Sequence, residues 1–319
     1  MSKGIPKSLA KSACQKNIRR GNVESALRCA KENIETDALD FSRRVMVLAP
    51  EEVSIHPLLI DVVEINKRLS KKGEVATDHD KDVMLTIVRD IAKATKRDIW
   101  EYRNLDFNFV ITKDMFDYFS KWQQDILTAL KYRGSIGGMK GDLAMFEHMP
   151  KYLAQMWSEG QKYSYDMFYD NLDEPLVDNR QVCDITPKDI PYFAADFHCC
   201  PFMSRLCLYK PKWVNGEKVQ EPTEYKKLID TLKGKTDVPV KSVRQGDTDD
   251  DEWVKKIMWL YASSVSFKKD FRNGKMLDSI ASDGVTDHDR KIFDKCFEVL
   301  APIWESAATW YINKCFEKE

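Results

Sequence analysis

The sequence predicts an all-α protein. Apolar residues recur at three- and four-residue spacing along much of the chain, as at Val83, Ile87, Ile91 and Ala94. The apolar–polar alternation that indicates a half-buried strand is scarce. With 319 residues, 43% of them hydrophobic, the chain is long enough to bury a substantial core.

The N-terminal part of the chain predicts helices joined by short turns. The predicted spans are 8–35 (a helix, a Gly21–Asn22 turn and a second helix), 40–48 and 57–69. The helix over 40–48 is expected to end near Pro50, because proline lacks the amide hydrogen that a helix interior uses. Pro57 falls in the first turn of the next helix, where the missing hydrogen costs nothing.

Helical spacing continues through the rest of the chain, with interruptions. The predicted helices cover 80–102, 112–130 with Thr112 as N-cap, 142–171, 253–271 and 287–316, the last kinked at Pro302. A glycine-rich loop over 133–142 and an irregular stretch over 172–190 separate them. We therefore predict a collar-like helical domain over 1–132 and a helical C-terminal region over 133–319, with a polar loop or insertion near 210–252.

Charge and composition bear on nucleic-acid binding, membrane association and the state of the cysteines. Lys and Arg number 50 against 51 Asp and Glu, a net charge of −1, so any nucleic-acid binding has to come from a local basic patch. The N-terminus lacks the apolar stretch of a signal peptide, and no apolar run is long enough to span a bilayer. The eight cysteines show no repeated spacing. We expect reduced thiols, no membrane association, and a cytoplasmic location, or a nuclear one in a eukaryotic system.

A motif near the N-terminus carries a resemblance to a known family. It opens with Ser-Ala-x-x-Lys-x-Ile-Arg-Arg-Gly, continues into a helix with Ala-Leu, and then has an Arg-Arg pair and an acidic turn before proline. Its members here are Ser12, Ala13, Lys16, Ile18, Arg19, Arg20, Gly21, Ala26, Leu27, Arg43, Arg44, Glu51, Glu52, Val53, Ser54 and Pro57. Residues 1–65 resemble the C-terminal helical domain of the replication-associated recombination ATPases (the RarA/MgsA and Werner-interacting group), AAA+ relatives of clamp loaders.

The chain resembles still more the short phage- and plasmid-borne proteins that carry this domain without the ATPase. It departs from the family pattern at Glu52, where Asp is usual, and at Ser54, where Gly is usual. The resemblance implies a collar that holds subunits together, and hence a homo- or hetero-oligomer. It also implies a non-enzymatic accessory role in viral or mobile-element DNA replication or recombination, with DNA and a polymerase, a clamp or an AAA+ ATPase as partners.

Two interpretations apply to the basic residues Lys16, Arg19 and Arg20. They could contact phosphate, each cation adding salt-dependent affinity for DNA. Alternatively, the arginines pair with acids inside the domain, which we favour because the family pattern contains both. The structural ion pairs are then expected among Arg43, Arg44, Glu51 and Glu52 together with Arg19.

The glycine-rich loop lies between two further candidate phosphate contacts, Arg133 and Lys140. Its glycines could cradle phosphate through backbone N–H groups. It is not a Walker A loop, because Lys140 is followed by Gly141 rather than by Ser or Thr. We favour a flexible connection between two helices for this loop. For the protein we expect no ATPase activity and no cofactor.

The Asp196–Cys207 segment suggests an alternative function. Asp196, His198 and Cys199 could serve a metal- or thiol-dependent enzyme, and His198, Cys199 and Cys207 are the candidate metal ligands. Zinc sites usually use two short-spaced ligand pairs, and these spacings match none of them. Cysteines buried as small apolar groups are therefore preferred over a metal site.

Overall fold

The structure of the protein is a computed structural model that describes residues 5–94, 108–162, 172–194, 305 and 308–317. These ranges contain helices and no strand, which confirms the all-α prediction. The chain divides into two compact units, one of residues 17–185 and one that combines 1–16 with 186–319. The boundary expected from sequence, at 132 and 133, falls within a helix of the first unit and stays a prediction.

Seven α-helices lie in the described residues before position 160. They are α1 (Lys7–Arg19), α2 (Val23–Glu52), α3 (Leu59–Leu69), α4 (Asp78–Lys93), α5 (Lys113–Tyr118), α6 (Lys121–Ser135) and α7 (Lys140–Ser158). Single 3-10 turns follow at Asn179–Gln181, Pro187–Asp189 and Tyr192–Ala194, and a further helix covers 308–316. None of the described helices combines the length and the apolar run that crossing a bilayer requires.

Helix α2 differs most from the prediction. It joins the second and third predicted helices across a kink at Asp37, whose backbone is extended (φ −163°, ψ 88°) and whose carboxylate accepts the Asp40 N–H at 3.0 Å. It then continues through Pro50 and ends at Glu52, two residues beyond the proline at which the end was expected. A proline here costs one hydrogen bond near the helix end, and the N–H groups of Val53 and Ser54 both close onto the Ala49 carbonyl at 2.9 Å.

The predicted helix over 112–130 is two helices. Thr112 is the N-cap of α5, as expected, and accepts the Met115 N–H at 3.2 Å. Phe119 then takes an extended conformation, and Ser120 caps α6 through a reciprocal capping box with Gln123. The glycine-rich loop is correspondingly shorter than expected, with only Ile136–Met139 outside α6 and α7.

The core of the 17–185 unit lies where α2 and α4 pack against each other. Phe41 and Leu48 of α2 and Met84, Leu85 and Ile87 of α4 are almost fully buried. Helix α3 packs on both α2 and α6, and α6 packs on α7. The C-terminal halves of α2 and α4 each contribute residues to a charged cluster.

Candidate functional site

Arg19 reaches the end of α2 because the chain reverses sharply after α1. Gly21 has φ 69°, in the left-handed region that favours glycine, and its N–H bonds the Ile18 carbonyl at 3.0 Å. Helix α2 starts two residues later, and its second half returns Glu51 and Glu52 to the C-terminal end of α1. The short loop thus sets Arg19 opposite two carboxylates that are more than thirty residues away in sequence.

Arg19, Arg44, Glu51 and Glu52 form an ion-pair cluster, here called the clasp. The Arg19 Nε lies 2.8 and 2.9 Å from the two carboxylate oxygens of Glu52, and its Nη2 lies 2.7 Å from Oε1. Glu51 accepts from Arg19 at 3.3 Å and lies 3.6 Å from Arg44. The side chains of Arg19 and Glu52 are 16% and 7% exposed, so this contact is largely withdrawn from water.

The structure therefore brings together four of the five residues that were expected to form ion pairs. The fifth, Arg43, lies outside the clasp. Arg43 is exposed, and no carboxylate of the described residues pairs with it. Its carbonyl oxygen accepts from the Nε of Arg133 at 3.1 Å. Arg43 thus helps hold α6 through its backbone rather than through its charge.

Arg133 is a structural residue in this fold. It is 4% exposed, donates to the Gly137 carbonyl at 2.7 Å, and places its guanidinium 5.1 Å from the centre of the Phe146 ring. Burial lowers the pKa of Arg133, with Arg43 and Arg44 acting in the same direction and Asp142 opposing them. The phosphate contact expected at Arg133 stays a prediction, and the guanidinium that would make it is buried against the loop and Phe146.

The glycine-rich loop is shaped around that guanidinium. A side chain at Gly138 would meet Arg133 Nη2 at 3.4 Å, and Gly138 itself has φ 153°. The loop turns the Gly137 carbonyl, rather than an N–H group, toward the cation. This arrangement fits a helix connection, the interpretation favoured from sequence.

The remaining basic candidates lie at the surface. Lys16 is partly exposed and donates to Ser12 Oγ at 2.7 Å, and Arg20, directly after α1, is partly exposed. Lys140 is exposed at the first residue of α7. These three stay candidate nucleic-acid contacts.

A second charged cluster, which we call the buried relay, consists of His56, Asp90, Arg89 and Glu174. His56 and Asp90 are each about 1% exposed, and His56 Nε2 lies 3.1 Å from Asp90 Oδ2. The N–H of Leu58 donates to His56 Nδ1 at 3.1 Å, which makes Nδ1 an acceptor. The neutral ring therefore carries its proton on Nε2 and donates it to Asp90.

Asp90 also binds Arg89, and Arg89 binds Glu174. The Arg89 Nε donates to Asp90 Oδ1 at 2.7 Å, and its Nη1 lies 3.4 Å from Glu174. Sequence reasoning missed this relay. The available signal was Asp90 itself, a carboxylate on the apolar stripe of α4, which is stable there only with buried partners.

The pKa of His56 is lowered from its ordinary value of 6.5. Burial is the main cause and Arg89 adds to it, while the hydrogen bond and charge of Asp90 and the charge of Asp61 oppose them. The folded chain thus keeps His56 neutral at a pH where the unfolded chain takes up a proton.

We expect this difference to destabilise the protein in mild acid. Below pH 6.5 the unfolded state binds more protons, so the stabilisation is present above that pH and is lost as the pH falls. The free energy of unfolding of the unaltered chain should fall between pH 7.5 and 5.5, with a slope of at most about 1.4 kcal/mol per pH unit from this group. Urea unfolding of the unaltered chain and of His56→Gln, compared across this range, should give a smaller slope for the variant. Equal slopes would show that His56 is not the group responsible.

The Asp196–Cys207 segment, with His198 and Cys199, lies outside the described residues. Within the part of the chain that is described, no group of His, Cys, Asp and Glu side chains is arranged to hold a metal ion.

No family model, curated protein or solved structure matches this chain.

Proposed function

We propose that this protein is a non-enzymatic accessory subunit of DNA replication or recombination, from a virus or mobile element. In this proposal it acts as a helical module that binds other replication proteins, namely a polymerase, a clamp or an AAA+ ATPase, in a homo- or hetero-oligomer. The proposed location is the cytoplasm, or the nucleus in a eukaryotic system.

The clasp is the observation that supports this proposal. Arg19, Arg44, Glu51 and Glu52 belong to the motif that resembles the collar domain, and they meet in one partly buried cluster. Residues of this motif that lie more than thirty positions apart thus contact one another in the folded chain. Such a contact is what a motif that belongs to one folded domain requires, and it supports the proposal.

The same cluster favours protein contacts over direct DNA binding as the principal role. Arg19 has two carboxylate partners, and Arg133 is buried, so two of the five basic candidates are engaged within the fold. The surface candidates Lys16, Arg20 and Lys140 leave room for a weak, salt-dependent contact with DNA.

The proteins that co-purify with the chain test the proposal. A tagged full-length chain, isolated from its source cells after nuclease treatment, should retain a polymerase, a clamp or an AAA+ ATPase. Nuclease treatment removes proteins that are bridged only by DNA. Recovery of no replication or recombination protein, under conditions that preserve a known replication complex from the same cells, would contradict the proposal.

A separate binding measurement tests the DNA contact. We expect Lys16→Ala with Arg20→Ala to weaken DNA binding and to reduce the slope of log affinity against log salt by about 1 to 2, one phosphate contact per cation. Lys71→Ala with Lys72→Ala, an exposed pair beyond α3, is the matched control. An unchanged slope in a folded Lys16/Arg20 variant would exclude this contact.

A further inference from the structure

One face of α4 holds an extended segment of the same chain. Asp82, Thr86, Arg89 and Lys93 are spaced four, three and four residues apart, which places them on one side of the helix; we call them the α4 stripe. Residues 174–179, here called the strap, run along this stripe in the opposite direction. Each member of the stripe contacts the strap.

The start of the strap is held by two cations. Lys93 Nζ lies 2.6 Å from one carboxylate oxygen of Glu174, and Arg89 Nη1 lies 3.4 Å from the other. Arg89 Nη1 also donates to the carbonyl of Pro175 at 2.6 Å. The C-terminal end of α4 therefore binds a carboxylate and the backbone that follows it.

The far end of the strap is held through its backbone and an amide side chain. The N–H of Val177 donates to Thr86 Oγ1 at 2.9 Å. Asn179 donates to Asp82 Oδ1 from both its backbone N–H, at 2.8 Å, and its side chain, at 2.7 Å. An aspartate that accepts from both the backbone N–H and the side chain of one residue favours an amide side chain there, at the first residue of the Asn179–Gln181 turn.

The strap contributes little apolar burial of its own. Leu176 is 39% exposed, Pro175 is also exposed, and Val177 is only partly buried. A segment held mainly by polar contacts at a surface opens at lower cost than a packed helix. Beneath it, two residues of the α4 stripe, Thr86 and Arg89, are buried.

The buried relay holds one cation of the α4 stripe in place. Asp90 fixes the Arg89 guanidinium through its Nε at 2.7 Å, independently of the strap. Arg89 Nη2 is buried and has no hydrogen-bond partner among the described residues. The Arg89 guanidinium thus keeps its position when the strap leaves, and its Nη2 is still available as a donor. A cation held in place in this way loses less conformational entropy when it binds another carboxylate.

We propose that the α4 stripe is a binding site for an extended acidic segment of a partner protein, and that the strap occupies this site within the chain until the partner displaces it. The segment that fits has a glutamate at its start, proline next and asparagine five positions after the glutamate, as in Glu174-Pro-Leu-Val-Asp-Asn179. The proposal is independent of the role in replication.

Hydrogen exchange of the full-length chain tests whether the strap opens. The amides of Val177 and Asn179 should exchange at least tenfold faster than those of Met84, Leu85 and Val88 in α4, and low denaturant should leave their rates unchanged. Exchange of the strap amides only through global unfolding, with the denaturant dependence of α4, would overturn the proposal.

A peptide in trans tests the recognition. A labelled peptide of residues 172–181 should bind the full-length Glu174→Ala, Asn179→Ala variant at least tenfold more tightly than the unaltered chain, whose own strap competes. The same peptide carrying those two substitutions is the matched control and should lose at least tenfold in affinity. If the variant retains its helical circular dichroism and binds both peptides equally, or neither, the α4 stripe is not a recognition site.

Discussion

Replacing Arg19 by alanine is expected to lower the free energy of unfolding by about 3 kcal/mol, because it leaves a buried carboxylate without its main counter-charge. The Glu52 side chain is 7% exposed, and both of its carboxylate oxygens accept hydrogen bonds from Arg19. Urea unfolding followed by circular dichroism measures the effect. The m-value should be unchanged if only the folded state is destabilised.

Lys121 provides the control for Arg19. It pairs with Asp125 one helical turn away in α6, and its side chain is 81% exposed. Exposed pairs of this kind contribute at most about 0.5 kcal/mol, so Lys121→Ala should be nearly neutral. A loss as small for Arg19→Ala as for Lys121→Ala would mean that the clasp contributes no more than an exposed ion pair.

Asp90→Ala is expected to have the larger effect, about 3–5 kcal/mol. This substitution removes the acceptor of both His56 and Arg89 and leaves the Arg89 cation 9% exposed beside a cavity. Thermal unfolding should show a marked decrease in Tm. If Asp90→Ala does not fold, Asp90→Asn, which keeps the shape but not the charge, provides a smaller loss that can be measured.

The control for Asp90 is Asp61→Ala. Asp61 also acts on His56 electrostatically, but it is exposed on α3. We expect a change within about 0.5 kcal/mol at this surface position. Equal effects of the two substitutions would show that the buried hydrogen bonds of Asp90 contribute nothing beyond its charge.

Local chemistry was enough to predict most helices but not all of their ends. Thr112 is a residue type that favours the N-cap of a helix, and it caps α5. Asp37 is a residue type that competes with helical hydrogen bonds, and α2 is kinked there. The path of α2 through Pro50 does not follow from residue type, because it depends on tertiary packing that outweighs one lost hydrogen bond. The split at Phe119 did have a local signal, the capping box of Ser120 with Gln123, which the sequence analysis did not use.

The two charged clusters differ in how far sequence could reveal them. Arg19 and Glu52 belong to one motif, so their pairing could be expected before the fold was known. His56 and Asp90 are 34 residues apart, and Arg89 meets Pro175 across 86 residues. Contacts at such separations depend on how α2, α4 and the strap pack, which no local pattern encodes.

A double-mutant cycle on Arg19 and Glu52 tests most directly whether the motif that resembles the collar domain is a tertiary contact. The free energies of unfolding of the unaltered chain, Arg19→Ala, Glu52→Gln and the double variant give the coupling between the two side chains. We expect a coupling of about 1–3 kcal/mol, with the double variant less destabilised than the sum of the single ones. A coupling near zero would contradict the clasp and return Arg19 to the list of candidate DNA contacts.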